Sequence, residues 1–186
     1  MRIIAGKFKS KKILFPIDKN TRPLRDLVKE SIFNLIENSN KFNFKINNSS
    51  ILDLFSGSGS FGFECISRGA KKVTFFENYS QTLKILKKNI KNLKVEKNCK
   101  IIEENCFNYV QRGQIDNSKF DIIFIDPPFK EKNINILINR IVEKRLLTNN
   151  GLMIIHRHKK DDLKISDKFR VLDTRFYGIS KIIIGC

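Results

Sequence analysis

At 186 residues, with 41% apolar and 30% charged residues, the chain falls among ordinary soluble globular proteins of one domain's size. Its formal net charge of +17 points to a polyanionic partner, because Lys and Arg that neutralise phosphates bind by counterion release. No apolar run approaches the roughly 20 residues of a membrane span, and the N-terminus lacks the apolar stretch of a signal peptide, so a cytoplasmic protein with no membrane partner is expected.

The composition is rich in Lys, Asn, Ile and Phe, a bias that AT-rich coding also produces, so charge alone does not fix the partner. Cys65, Cys99, Cys106 and Cys186 form no CxxC pair, and His156 and His158 complete no zinc spacing with them. A reducing setting and the absence of a metal are the expectations.

Residues 2–16, RIIAGKFKSKKILFP, place two short apolar runs around a basic centre and predict a β-hairpin. Thr21 and Pro23 predict a helix start, and Leu24, Leu27, Val28, Ile32, Leu35 and Ile36 keep a helical period to about Asn38. Residues 1–30 hold nine Lys or Arg against three Asp or Glu, which fits an RNA-gripping appendage and equally a solvated extension. The polar stretch 39–50 reads as a linker, so the predicted division is 1–40 for the basic extension and 41–186 for the main domain.

From there strands and helices alternate. Strands are predicted at 51–55, 72–77, 100–105, 121–126 and 151–156, and helices at 57–68, at 80–94 and around Ile134, Leu137, Ile138 and Ile141. The lysines at 84–97 lie opposite the apolar stripe of their helix and read first as a solvated face. The tail offers two strands around Tyr177 and Gly178. This order predicts an α/β fold: a doubly wound, mostly parallel sheet with a C-terminal antiparallel hairpin, binding its ligand at the carboxyl ends of the strands.

The first main strand runs into Asp53-Leu54-Phe55-Ser56-Gly57-Ser58-Gly59-Ser60-Phe61-Gly62, where Gly57, Gly59 and Gly62 fit G-x-G-x-x-G. Glu77, 20 residues after Gly57, sits where a carboxylate accepts ribose hydroxyls. The same pattern fits a nicotinamide dinucleotide. Asp53 favours S-adenosyl-L-methionine, since a carboxylate there attracts a cationic cofactor and repels a pyrophosphate. Asn105 reads either as a contact to adenine or as a turn residue.

Asp126-Pro127-Pro128-Phe129 follows the apolar strand DIIFI, and its two prolines must end that strand in a rigid turn. An exocyclic base amine is a poor nucleophile because its lone pair is delocalised into the ring. Holding its N–H groups with the Asp126 carboxylate and the Pro127 carbonyl turns that pair out of conjugation, and Phe129 can stack on the base. His156, Arg157 and His158 read as a strand-end loop able to reach phosphate, and neither histidine is expected to be a catalyst.

Over almost its full length the chain resembles the bacterial 16S ribosomal RNA (guanine-N2)-methyltransferase family of the RsmD type. The matching stretches are RIIAGKFKSKKI, TRPLRDLVKESIFN, ILDLFSGSGSFGFE, FIDPPF and YGISKIIIG, in the family's order. The glycine loop is generic and Asp-Pro-Pro-Phe is shared with DNA adenine methyltransferases; the N-terminal block joined to TRP is the specific part. The resemblance implies a class I methyltransferase fold, S-adenosyl-L-methionine as cofactor, S-adenosyl-L-homocysteine as product, and N2 of one 16S guanine as target. It implies that Asp53, Gly57, Gly59, Glu77 and Asn105 line the cofactor site, where Phe55, Ser58, Gly62 and Cys106 are also expected. It further implies that Asp126 to Phe129 hold the guanine amine, and that Arg22 and the hairpin, with Arg2, Lys7, Lys9, Lys11 and Lys12, contact RNA. The expected partner is 16S rRNA, naked or in a small-subunit assembly particle, met by a monomer.

Three positions depart from the family pattern: Leu24 stands where Thr is usual, DLVKE lacks an Arg, and His156 replaces an acidic residue. The runner-up function is a DNA or other RNA base-amine (N6-adenine type) methyltransferase. An inactive RNA-binding module and a nicotinamide oxidoreductase are the other readings.

Overall fold

β1 (Ser50–Leu54) pairs in parallel with both β2 (Lys72–Phe76) and β4 (Phe120–Ile125). β3 (Cys99–Ile102) adds beyond β2, and β5 (Leu147–His158) adds beyond β4, both parallel. β7 (Ser180–Gly185) then enters antiparallel between β5 and β6 (Val171–Tyr177), giving a seven-stranded sheet of order β3-β2-β1-β4-β5-β7-β6. The chain therefore winds outward in both directions from β1, and the switch lies where the carboxyl ends of β1 and β4 meet. The computed structural model describes residues 1–16, 24–38, 41–42, 44–112, 119–163 and 165–186; Thr21, Arg22 and Pro23 lie outside them.

The central strands are near-continuous apolar runs because helices cover both faces. Ile51, Ile122, Phe124, Leu152 and Ile154 point to one face, where α1 (Asp26–Asn38), α2 (Ser60–Ser67) and α3 (Ser80–Leu93) supply the covering side chains. Leu52, Leu54, Ile123, Ile125, Met153 and Ile155 point to the other, against α4 (Cys106–Gln111) and α5 (Ile134–Glu143). A ladder of rings joins three elements on the first face: Phe33 of α1 stacks on Phe61 of α2 at 5.1 Å, and Phe61 stacks on Phe124 of β4 at 3.9 Å.

The predicted N-terminal hairpin is present in outline but not as two strands. The chain returns on itself through one antiparallel bridge, Arg2 to Lys12, and otherwise through turns. Its backbone is satisfied from α2 instead. The Glu64 carboxylate accepts from the Ile4 amide at 2.7 Å and the Ala5 amide at 3.0 Å, and Ser67 takes the Lys7 and Phe8 amides at 2.7 and 2.9 Å.

Glu64 is fully buried and also receives Arg68 Nε at 2.9 Å, with Lys29 Nζ at 3.8 Å. Lys29, equally buried, donates to the Arg2 carbonyl at 2.8 Å and to Ser60 Oγ at 3.2 Å. Burial pulls the Lys29 pKa below its ordinary value, against the opposing fields of Glu64 and Asp26. Ile3 and Ile13 join the same core cluster as α1 and the sheet, so residues on both sides of the predicted division at residue 40 share one interior.

Asn89, buried on α3, fastens the end of this segment. Its side chain takes the Leu14 amide at 2.9 Å and donates to the Leu14 carbonyl and to the Ser58 carbonyl, both at 3.0 Å. The lysines of α3 at 84, 87, 88 and 91 are exposed, as a solvated face requires. Two helix boundaries differ from the sequence reading: the described part of α1 begins at Asp26, and α2 begins at Ser60 after the glycine loop has finished turning.

Candidate active site

β1 stops at Leu54, and the next residues carry the chain sharply into α2. Phe55 has φ 63°, a left-handed backbone that costs a non-glycine residue about 1–2 kcal/mol. Gly59 has φ 85° and precedes the first turn of α2. Gly62 is required for a different reason: a Cβ there would stand 2.3 Å from the Phe75 ring, so only glycine lets α2 lie this close to β2. At Gly57 a Cβ would meet nothing within 4 Å, because the loop there borders open space.

That space is a cavity of about 720 Å³, within the usual range of a small-ligand site. Of the residues predicted for the cofactor, Asp53, Phe55, Gly57, Ser58, Glu77, Asn105 and Cys106 line it, and so do Asp126, Pro127, Pro128 and Phe129. The carboxyl ends of β1, β2, β3 and β4 thus bring two motifs 69 residues apart (Gly57 and Asp126) to one chamber. Gly59 and Gly62 do not line the cavity but shape the loop behind it. Met1, Phe15 and Leu24 also border it, so the N-terminal segment forms part of one wall. Tyr79, Thr82 and Lys130 line it as well and belong to no motif read from the sequence.

Four carboxylates line the chamber, Asp53, Glu77, Glu104 and Asp126, and the first two sit in distinct settings. Asp53 is 1% exposed and takes the Gly62 amide at 3.1 Å. Burial pushes its pKa well above the usual carboxylate range; the Gly62 hydrogen bond opposes this, and the charges of Asp126 and Glu77 add to it. Glu77 accepts the Gly57 amide at 2.8 Å on one oxygen and the Asn78 and Tyr79 amides at 2.9 and 2.8 Å on the other. It is therefore a loop anchor, and a carboxylate offers roughly four lone-pair positions, which leaves room for a ligand hydroxyl. Asn105 caps α4 by accepting the Phe107 amide at 2.9 Å, the turn role that the sequence allowed. Burial pushes the Cys106 thiol up to about 12, so it stays protonated and is no nucleophile.

A raised folded pKa at Asp53 has a defined sign. The folded protein holds a proton that the unfolded chain releases, so stability falls as pH rises from the ordinary carboxylate value through the folded one. Asp53→Asn should abolish that slope in denaturation midpoints measured across the acid range. A cationic ligand favours the ionised form, so its affinity should rise over the same window in the wild type and stay flat in the variant. Calorimetric titrations at several pH values check both statements, and a sloping variant would remove Asp53 as their origin.

The Asp-Pro-Pro-Phe turn is braced from β5, which the sequence reading ended at His156 and which continues to His158. Asp126 Oδ1 lies 2.8 Å from His156 Nδ1. The buried Arg157 guanidinium donates to the carbonyls of Pro128, Phe129 and Glu131 at 3.2, 3.4 and 2.7 Å, and Asp161 lies 2.6 Å from its Nε. The Phe129 ring meets His156 and His158 edge to face at 5.8 and 5.3 Å. The reading of 156–158 as a strand-end loop able to reach phosphate is corrected: the three residues belong to β5, and His156 and Arg157 are buried polar groups engaged with the turn. The signal was available, since polar residues that continue an apolar central strand at its carboxyl end face the switch point.

Arg2, Lys7, Lys9, Lys11 and Lys12 are exposed on the N-terminal loop, and Lys7 and Lys11 flank the Phe8 ring at 5.6 and 5.5 Å. None of these basic residues lines the cavity, and Arg22 lies outside the described residues. Among the described residues no cluster of three or more His, Cys, Asp or Glu is placed to hold a metal ion, and no helix is long and apolar enough to cross a membrane.

A parallel sheet with its last strand inserted antiparallel, opening at β1 on a glycine loop and at β4 on an Asp-Pro-Pro-Phe turn, defines a class I methyltransferase. The solved structure of a Haemophilus influenzae methylase superposes with a TM-score of 0.78 at 32% identity, covering 99% of this chain and 96% of that one. The family described as conserved hypothetical protein 95 matches residues 1–185, and the chain belongs to it, the RsmD type. Ribosomal RNA small subunit methyltransferase D of Haemophilus influenzae is 33% identical over 180 residues, 96% of this chain and 90% of that protein. The protein of the same name from Buchnera aphidicola subsp. Acyrthosiphon pisum is 36% identical over 161 residues, 87% and 80% of the two chains.

Proposed function

We propose that this chain methylates the exocyclic N2 amine of a guanine in 16S ribosomal RNA, using S-adenosyl-L-methionine. The observation that carries this reading is the meeting of the Asp126–Phe129 turn with the buried carboxylate of Asp53 in one cavity. S-adenosyl-L-methionine supplies a methyl group on a cationic sulfonium and leaves as S-adenosyl-L-homocysteine. The residues present fit that cofactor: Asp53 would attract its positive charge, Glu77 would accept its ribose hydroxyls, and the open side of Gly57 would allow its close approach to backbone.

The Asp126 carboxylate accepts one N–H of the target amine and the Pro127 carbonyl the other, which turns the nitrogen lone pair toward the methyl donor. Phe129 offers its ring to the base, which leaves its stack to reach the chamber. The work is positioning and preorganised electrostatics, with no covalent intermediate on the protein. The nitrogen loses its proton after the methyl arrives, so a strong base is not required.

RNA as substrate is supported by the exposed Arg2, Lys7, Lys9, Lys11 and Lys12, by the net charge of +17, and by the names of the relatives. Phosphate contacts of this kind set register, and the turn reads the base. The experiment is incubation with radiolabelled cofactor and small-subunit particles from cells lacking the enzyme, beside naked 16S RNA and DNA, followed by nucleoside analysis. Label in N2-methylguanosine is expected, with particle against naked RNA deciding the form of the substrate. Label in a methyladenine would move the target to the adenine-type alternative, and absence of label would defeat the reading.

A further inference from the structure

β5 and β7 run antiparallel with His158 opposite Ser180, which puts the side chains of His156 and Ser180 on one face as diagonal neighbours. His156 is 3% exposed and Ser180 is 5% exposed. The imidazole lies between two partners: Nδ1 is 2.8 Å from Asp126 Oδ1, and Nε2 is 2.9 Å from Ser180 Oγ. An ionised carboxylate can only accept, so Nδ1 carries the hydrogen; in the neutral ring Nε2 then accepts the Ser180 hydroxyl proton. Both ring nitrogens are thereby committed, and the Asp126 carboxylate, which can only accept, puts the proton on Nδ1.

We propose that His156 is the positioning residue of the reaction. Its Nδ1–H holds the Asp126 carboxylate in one rotation about the Cβ–Cγ bond, so that the carboxylate meets the target amine in the geometry that frees the lone pair. Ser180 Oγ satisfies Nε2 on the far side of the ring and so holds the imidazole in its orientation toward Asp126. The same ring contacts Phe129, so one side chain bears on both the carboxylate and the aromatic of the turn. The neighbouring Arg157 fixes the turn's backbone through Pro128 and Phe129, and His156 fixes its acid. This assignment rests on the proposed role of the turn in holding the amine.

The test compares His156→Leu with His156→Asn, whose side-chain N–H₂ can replace the Nδ1–H donor. His156→Leu should lower kcat roughly 10- to 100-fold, the scale of a misplaced reacting group, with cofactor Kd unchanged within about twofold. His156→Asn should recover most of that loss. The chain has only two histidines, so ¹⁵N spectra resolve His156 in the wild-type protein, where Nδ1 should carry the proton. Asp126→Asn should disturb that tautomer.

A His156→Leu turnover within about threefold of wild type would overturn the proposal, as would His156→Asn performing no better than His156→Leu, where positioning predicts the larger effects above. If His156→Leu fails to fold, a wild-type ring without a proton on Nδ1 would overturn the proposal alone. Asp126→Ala run in parallel separates the two levels. Retained turnover there removes the role of the turn itself, whereas loss of turnover beside a silent His156→Leu removes only His156.

Discussion

Asp126→Ala should reduce methyl transfer roughly 10²- to 10³-fold, the cost of deleting a preorganised group that acts on the reacting atom. Cofactor affinity should stay within about threefold, because the neighbours predicted to hold the cofactor are Asp53 and Glu77, which keep their own partners. Electrostatics partly offset the lost charge: Asp126 is one of the groups that raise the Asp53 pKa, so its removal makes Asp53 easier to ionise. Single-turnover rates at saturating cofactor and RNA, beside calorimetric titration of the cofactor, test both halves. Near wild-type turnover would end the amine-positioning role, and a large loss of cofactor affinity would reassign Asp126 to the cofactor.

The largest loss of stability is expected at Glu64→Ala. Glu64 is fully buried and answers two backbone amides, Arg68 and the buried Lys29. Removing one member of such a group leaves the opposite charge uncompensated, at a cost of about 3–5 kcal/mol. The denaturant midpoint should fall accordingly, and the N-terminal loop should lose its grip on α2. Trypsin should then cut at Lys7 to Lys12 in the variant well before it cuts the wild type. The double replacement Lys29→Met with Glu64→Leu should recover only part of the midpoint, since it removes the unpaired lysine but leaves the Ile4 and Ala5 amides and Arg68 Nε without their acceptor. Unchanged proteolysis in Glu64→Ala would mean that the loop is held chiefly by its apolar anchors Ile3 and Ile13.

The elements that the sequence predicted best are those whose signal is local. Strands at 51–55, 72–77 and 121–126 stand within a residue of β1, β2 and β4, because buried central strands are continuous apolar runs between polar breaks. The Gly57–Gly62 spacing and the Pro127-Pro128 pair dictate backbone shape on their own, and both motifs lie at the predicted edge of the sheet. α4 went unread because its six residues, CFNYVQ, are too few to establish a period, and its start is marked only by the Asn105 cap. The N-terminal segment looked like a self-paired hairpin because its alternation is real, yet its partners Glu64 and Ser67 lie about 60 residues away. Asn89, Arg157 and His156 were missed for the same reason. Each is a polar residue whose partner is a distant carbonyl or carboxylate, which spacing does not reveal; only the place of His156 and Arg157 at the carboxyl end of an apolar strand marks them.

One amide, that of Asn89, has its hydrogen bonds divided between Leu14 of the N-terminal segment and Ser58 of the glycine loop. Binding events at the two places therefore draw on a shared support, and free energy passed between them is symmetric by thermodynamic necessity. If RNA gripped at Lys7 to Lys12 steadies the glycine loop and tightens the cofactor by some factor, cofactor must tighten RNA by the same factor. Such reciprocity would make the chain release RNA more readily when it carries no methyl donor, so that scarce cofactor empties both sites together and leaves the substrate free for a loaded copy.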